Sequence, residues 1–103
     1  MINEIDILGK KYKIVYLDAV VKRNMFGIHD AQTQEIRVHP EMSKDQLYDT
    51  LLHESIHALD YAAAIGLKES QVQVLASVLL CFLRANQELA KNIAGIEEKK
   101  GKK

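Results

Sequence analysis

The chain has 103 residues, 48% of them hydrophobic and 27% charged, which fits one globular domain and leaves little room for a second. Its 14 basic residues balance its 14 acidic ones, so no strong field of either sign exists to draw nucleic acid or a cationic partner. A single cysteine, Cys81, excludes an internal disulfide. Its neighbours Leu79, Leu80, Phe82 and Leu83 lead us to expect a small buried hydrophobe there rather than a nucleophile.

The first third of the chain has the pattern of strands. Glu4–Leu8 alternates, Gly9 and Lys10 punctuate, and Tyr12–Leu17 resumes with β-branched and aromatic residues, which predicts a hairpin. Asp18–Asn24 is polar and irregular and reads as a loop with room for a helical turn. A second hairpin is predicted from Met25–His29, a polar turn over Asp30–Gln34, and a strictly alternating Glu35–His39. Pro40 has no N–H to give a ladder and ends that strand.

Ser43-Lys44-Asp45-Gln46 has the form of a capping box and predicts a helix from Lys44 to about Ala64, stopped by Gly66. At about 100° per residue, Leu47, Tyr48, Leu51, Leu52, Ile56, Ala58, Leu59 and Ala62 share one broad apolar arc. Thr50, His53, Glu54, His57 and Asp60 occupy the other arc. After a short link at Leu67–Ser70, a second helix is expected from Glu69 or Ser70, with Val72, Leu75, Ala76, Leu79, Phe82 and Leu83 at helical spacing. Arg84–Asn92 continues it or starts another short helix. Residues 97–103 are expected to be a solvated, mobile, charged tail, which leaves a single domain over 1–96. The N-terminus has no basic region followed by an apolar run, and no stretch approaches the roughly 20 apolar residues of a membrane helix. A cytoplasmic protein without a membrane partner is the expectation.

The chemistry is concentrated in His53-Glu54-Ser55-Ile56-His57, the His-Glu-x-x-His (HExxH) pattern. Histidines four apart on a helix lie one turn apart on one face, so both imidazoles can reach one ion. Zinc takes neutral imidazole nitrogen at about 2.0–2.1 Å and favours four ligands. Glu54 projects about 100° further round the helix, beside an open coordination position without becoming a ligand. The expectation is that His53 and His57 hold Zn2+, which acidifies a water toward a pKa of about 7. Glu54 then takes that water's proton as it attacks a peptide carbonyl and passes it to the leaving nitrogen. The competing reading is two surface histidines on an exposed helix face.

Glu69 is the favoured third ligand, since two-histidine-one-carboxylate zinc sites draw on a following helix. Geometry sets a condition: the first helix must end near Tyr61–Ala63, or the two helices must cross steeply. Gln73 is better levelled if the helix runs on, but a neutral amide is a poor zinc ligand. His29 or His39 from the second hairpin are the alternatives. Asp60 is a candidate to accept the other imidazole N–H of His57, against the reading of a plain solvated carboxylate. Tyr48, Tyr61, His29 and His39 are candidates to stabilise an oxyanion, although Tyr48 lies on the apolar arc and is better explained by core packing. Glu35–Val38 is weighed as an exposed sheet edge for an extended peptide against a plain structural strand.

These residues carry a family resemblance. Thr50–Tyr61 resembles the active-site helix of small phage and prophage zincin-like metallopeptidases, which are related to the ImmA/IrrE group. Gly27–Asp30 with Glu35–Val38 is similar to the hairpin before the motif in that group, and Glu69-Ser70-Gln71-Val72 to the helix whose leading glutamate is its third zinc ligand. The resemblance runs over roughly Tyr12 to Asn86 and is specific at the HExxH helix. It implies an α+β fold: a minimal zincin-like domain, with a small twisted antiparallel-rich sheet on the HExxH helix and one or two further helices. It also implies a zinc metalloendopeptidase in the cytoplasm of a bacterial host, cutting a specific intracellular protein such as a DNA-binding regulator. The spacing from His57 to Glu69 is shorter than in larger members, and no helix-turn-helix segment is visible, so the target stays open. The alternative is a zincin-fold binding protein that docks a partner without proteolysis, which small size favours and an intact Glu54 opposes.

Overall fold

Alternating apolar residues in the first part of the chain fold as two hairpins. β1 (Glu4–Ile7) and β2 (Lys10–Tyr16) run antiparallel, with Ile7 opposite Lys10 across a two-residue turn. Leu8 (φ 50°) and Gly9 (φ 91°) both take the left-handed backbone that so tight a turn requires, and Asp6 Oδ1 accepts the Gly9 N–H at 2.7 Å. β3 (Gly27–Asp30) and β4 (Glu35–Val38) form the second hairpin, whose turn is organised by Asp30 Oδ1 accepting the N–H groups of Gln32 and Thr33. The computed structural model describes residues 1–17 and 27–96. The expected loop at Asp18–Asn24, the strand start at Met25 and Phe26, and the tail over 97–103 lie outside the described residues.

The hairpins join through a parallel contact that alternation could not reveal. β2 pairs with β4, Ile14 opposite Ile36, giving the order β1-β2-β4-β3 in a mixed four-stranded sheet. Glu35–Val38 is therefore not an edge: its backbone pairs with β2 on one side and β3 on the other. The edge on that side is β3. Residues directly opposite share a face, so Gly27 and His29 point the same way as their partners Val38 and Ile36, toward the core.

α1 (Lys44–Ala63) covers that face. Ser43 Oγ caps it by accepting the Gln46 N–H at 3.2 Å, but only half of the expected capping box forms, because the Gln46 amide turns to Thr50 Oγ1 at 3.3 Å. Leu51 and Ala58 pack with Ile7, Tyr12, Ile14, Ile36 and Val38 in one core cluster. Each fully buried aliphatic side chain contributes about 1.5–3 kcal/mol. The two arcs of α1 do not divide as their chemistry suggested. Thr50, Glu54 and Ser55 are buried, whereas Tyr48 and Leu59 stay partly exposed. The helix is rolled so that the border between its arcs meets the sheet, with β3 beneath the polar side. Tyr48 is thus not the core residue its arc implied.

α2 (Glu69–Ala85) packs along α1, burying Val72 and Ala76, and α3 (Gln87–Ile93) continues from it. The described residues form an α+β fold, a four-stranded mixed sheet with three helices. Leu75, Leu79 and Phe82, at helical spacing with Val72 and Ala76, are exposed, and so is Cys81, which was expected to be buried. Among the described residues α1 covers one side of α2, and Leu75, Leu79 and Phe82 lie beside that contact, where they line a groove with Ile56 and Leu59. No helix among the described residues is long and apolar enough to cross a membrane.

α1 and β3 approach so closely that position 27 has no space for a side chain. A Cβ there would lie 2.7 Å from Thr50 Cγ2 and 3.1 Å from Glu54 Cγ. Thr50 is β-branched, buried and held by Gln46, so it yields poorly. Gly27→Ala should therefore destabilise the fold by about 1–3 kcal/mol as an overpacking change. Urea unfolding followed by circular dichroism checks this, and an unchanged midpoint would show that α1 can retreat from β3 at no cost.

Candidate metal centre

Asp45, Asp49, His53 and His57 recur every four residues and form one stripe along α1. α2 meets this stripe with polar partners in antiparallel order. Arg84 pairs with Asp45 at 2.9 Å, Ser77 Oγ donates to Asp49 at 3.1 Å, and Glu69 reaches both histidines. Glu69 Oε2 lies 3.0 Å from His53 Nε2, and Oε1 lies 2.7 Å from His57 Nε2. The imidazole centroids are 4.9 Å apart at an interplanar angle of 61°.

One ligand atom from each of His53, His57 and Glu69 can be chosen so that all lie within 4.8 Å of one another. Two imidazole nitrogens and a carboxylate oxygen are a donor set that zinc accepts. Donors around a tetrahedral zinc are about 3.3 Å apart, and the two contacts between imidazole nitrogen and Glu69 carboxylate, at 3.0 and 2.7 Å, are close to that spacing. The residues fit the ion.

Glu69 reaches this point because α1 stops at Ala63, which meets the condition set by the spacing. The stop itself is not Gly66. Ala64 takes the left-handed conformation (φ 54°) and its N–H returns to the Asp60 carbonyl. Asp60 Oδ1 then accepts the N–H groups of Gly66 at 2.7 Å and Leu67 at 3.1 Å. Asp60 thus braces the link between the helices, and the expected hydrogen bond to His57 is replaced by this one. Its carboxylate is drawn off because the chain doubles back over the end of α1. Gln71 Oε1 accepts the Lys68 N–H at 2.8 Å and secures the start of α2.

Glu54 is 7% exposed and lies beside the histidines, in the wall of a cleft of about 790 Å3. Burial pushes its carboxyl pKa up, His53 and His57 pull it down, and the negative charge of Glu69 adds to the rise. Gly27, Ile28 and His29 from β3 line the same cleft, as do Asp49 and Gln73.

The remaining candidates separate by position. His29 lines the cleft but lies outside the ligand cluster; its Nε2 is 3.2 Å from the Tyr12 hydroxyl. Burial lowers the His29 pKa, His57 lowers it further, and Asp30 opposes. Tyr61 is 71% exposed, with its ring 6.2 Å from that of His29 in an edge-on arrangement. His39 turns to its own loop, Nδ1 accepting the Glu41 N–H at 3.1 Å, and does not line the cleft, which removes it as a third ligand and as an oxyanion donor there. Tyr48 does not line it either. Sequence reasoning missed Gly27 and Thr50, which enclose Glu54, and Tyr12, which holds His29. Tyr12 was read only as part of a strand, and sheet order is what brings its hydroxyl across β4 to β3.

No protein-family model, curated protein or solved structure matches this chain.

The Asp60 brace has a measurable consequence. Asp60→Ala should weaken zinc binding about 10–100-fold, the usual range for losing a group that orients a ligand. Asp60→Asn keeps an acceptor oxygen and should stay near wild type. Competition titration against a chromogenic chelator reads both, and wild-type affinity in Asp60→Ala would show that the link holds its shape without the carboxylate.

Proposed function

We propose that the chain is a zinc-dependent metallopeptidase of the zincin kind, related to the small phage and prophage enzymes that its HExxH helix resembles. The observation that carries this reading is the placement of Glu54: a buried carboxylate in the same cleft wall as the His53, His57 and Glu69 donors. A metal held only for stability needs no carboxylate there, and burying one without a task is costly.

His53, His57 and Glu69 would hold the ion. Zinc, when bound, supplies Lewis acidity, which makes water a nucleophile at neutral pH and polarises a carbonyl. Glu54 accepts a proton from the attacking water while the water oxygen bonds to the peptide carbonyl carbon. The carbon–nitrogen bond then breaks as Glu54 returns the proton to the departing nitrogen, and the remaining hydroxyl proton passes to the amine, so that a carboxylate and an ammonium group leave. His29, in the cleft and held by Tyr12, is the best placed of the oxyanion candidates. Tyr61 stands at the rim beside it.

The cleft also suggests how substrate lies. β3 ends the sheet order and forms one wall, so an extended segment of a protein substrate can add to β3 by backbone hydrogen bonds and pass beside Glu54. Among the described residues β3 offers four positions, Gly27–Asp30, and so few subsites. This favours one specific protein, such as a regulator in a bacterial cytoplasm, over general proteolysis. Docking of a partner without cleavage is the second reading, favoured by the same small wall area and opposed by Glu54.

Metal analysis and proteomics together test the proposal. Purified wild type should carry about one zinc per chain, and His53→Ala should carry almost none. Glu54→Gln should keep the zinc and lose cleavage by at least about 10²-fold. Protein fragments should therefore appear in cells expressing wild type and be missing beside Glu54→Gln. Undiminished fragments with Glu54→Gln would remove Glu54 from the chemistry. Bound zinc with no fragments from wild type would support docking instead.

A further inference from the structure

We propose that the outer face of α2 is a homodimer interface, in which two copies pair α2 against α2 about a two-fold axis. α2 is apolar on two sides. One side, Val72 and Ala76, is spent on α1. The other presents Val74, Leu75, Val78, Leu79 and Phe82, which cover an arc of about 140° at helical spacing. No charged residue occurs from Ser70 to Leu83. A solvated helix face ordinarily carries charge, and the centre of an interface is depleted of it.

This face is contiguous with a groove of about 390 Å3, floored by Ile56 and Leu59 of α1 and by Ile65 and Leu67 of the link. Among these residues, Leu59, Ile65, Val74, Leu75, Val78, Leu79 and Phe82 are between 36% and 63% exposed. At roughly 80 Å2 apiece they present about 550 Å2 of apolar surface, near the upper limit for a lone monomer. Homodimer interfaces are about 65% apolar, so this area corresponds to about 850 Å2 in total from each copy. A stable complex buries about 800 Å2 per partner. The area therefore matches a dimer.

A second copy is the occupant whose chemistry fits. Ridge and groove lie side by side on one face, so two such faces related by a two-fold axis are complementary to each other. The face offers no charge to select a charged partner, and a net charge of zero removes long-range repulsion between copies. A lipid surface calls for lysines and arginines flanking the apolar stripe, and α2 has only Arg84. Residues 97–103 are charged at every position but Gly101 and do not match an apolar groove. Glu69 and Gln73, which line the metal cleft, lie on a different side of α2, so both clefts stay open in the dimer.

Sedimentation equilibrium on the full 103-residue chain tests this, independently of any metal chemistry. Wild type should give about twice the 11.7 kDa chain mass at micromolar concentration. Val78→Glu and Phe82→Glu should each raise the dissociation constant at least about 30-fold, as losing a central anchor does. Val74→Gln, a milder change at an exposed position, should weaken it less, and Lys11→Glu on the outer sheet surface should change nothing. Circular dichroism and zinc affinity should match wild type in all four variants. A monomer of 11.7 kDa at about 100 μM would overturn the proposal, as would a dimer indifferent to both glutamates. Monomeric protein that binds phosphatidylglycerol vesicles through Val78 and Phe82 would assign the face to a lipid surface and equally overturn it.

Discussion

Glu69 follows His57 by twelve positions, and on one unbroken helix they would stand about 18 Å apart. In the fold they meet at 2.7 Å, so the reversal between α1 and α2 is the constraint on which the donor cluster depends. Ala64 stops α1 in a left-handed backbone that a non-glycine residue adopts only at some cost. The compensation is the Asp60 carboxylate, whose two backbone hydrogen bonds close the link. The stripe of Asp45, Asp49, His53 and His57 against Arg84, Ser77 and Glu69 then fixes the register of the two helices. The exposed Arg84–Asp45 pair contributes little energy by itself, and its role is in alignment.

The second constraint is the burial of Glu54 under β3. A carboxylate at this depth gives up hydration, and the rise in its pKa is the sign of that loss. Part of it is offset by His53 and His57 nearby, and the cleft keeps one side of the residue near water. Glycine at position 27 lets the strand come close enough to enclose the carboxylate without a clash. Local hydrophobic patterning and the chemistry of the site conflict here, as they often do where a fold carries a function. The roll of α1 satisfies the site first and the amphipathic division second.

A chain of this length has little interior to distribute. Its core is one sheet face, one side of α1 and a few residues of α2. Once α2 has placed Glu69 and buried Val72 and Ala76, no further layer of the described chain covers its other side. α3 packs on α2, and the described residues reach 52 Å along their longest axis. The helix that completes the donor cluster thus also carries an apolar face in contact with water.

What the amino-acid order determined by itself was local. Alternation marked β1 and β4, β-branched and aromatic residues marked β2, a polar turn marked the end of β3, Ser43 marked the start of α1, and spacing put His53 and His57 on one face, since each depends on residues a few positions apart. The same patterns could not say that β2 and β4 run side by side in parallel, because a strand's period reports its faces and not its neighbours. Nor could they say that Ala64 rather than Gly66 ends α1, that Asp60 serves the link rather than His57, or that Cys81 looks outward. Each of those outcomes is set by which element lies against which. Tertiary packing chose the sheet order, rolled α1 over β3 to bury Glu54, and left one side of α2 open, because long-range contacts outweigh the small preferences that a helix or strand expresses alone.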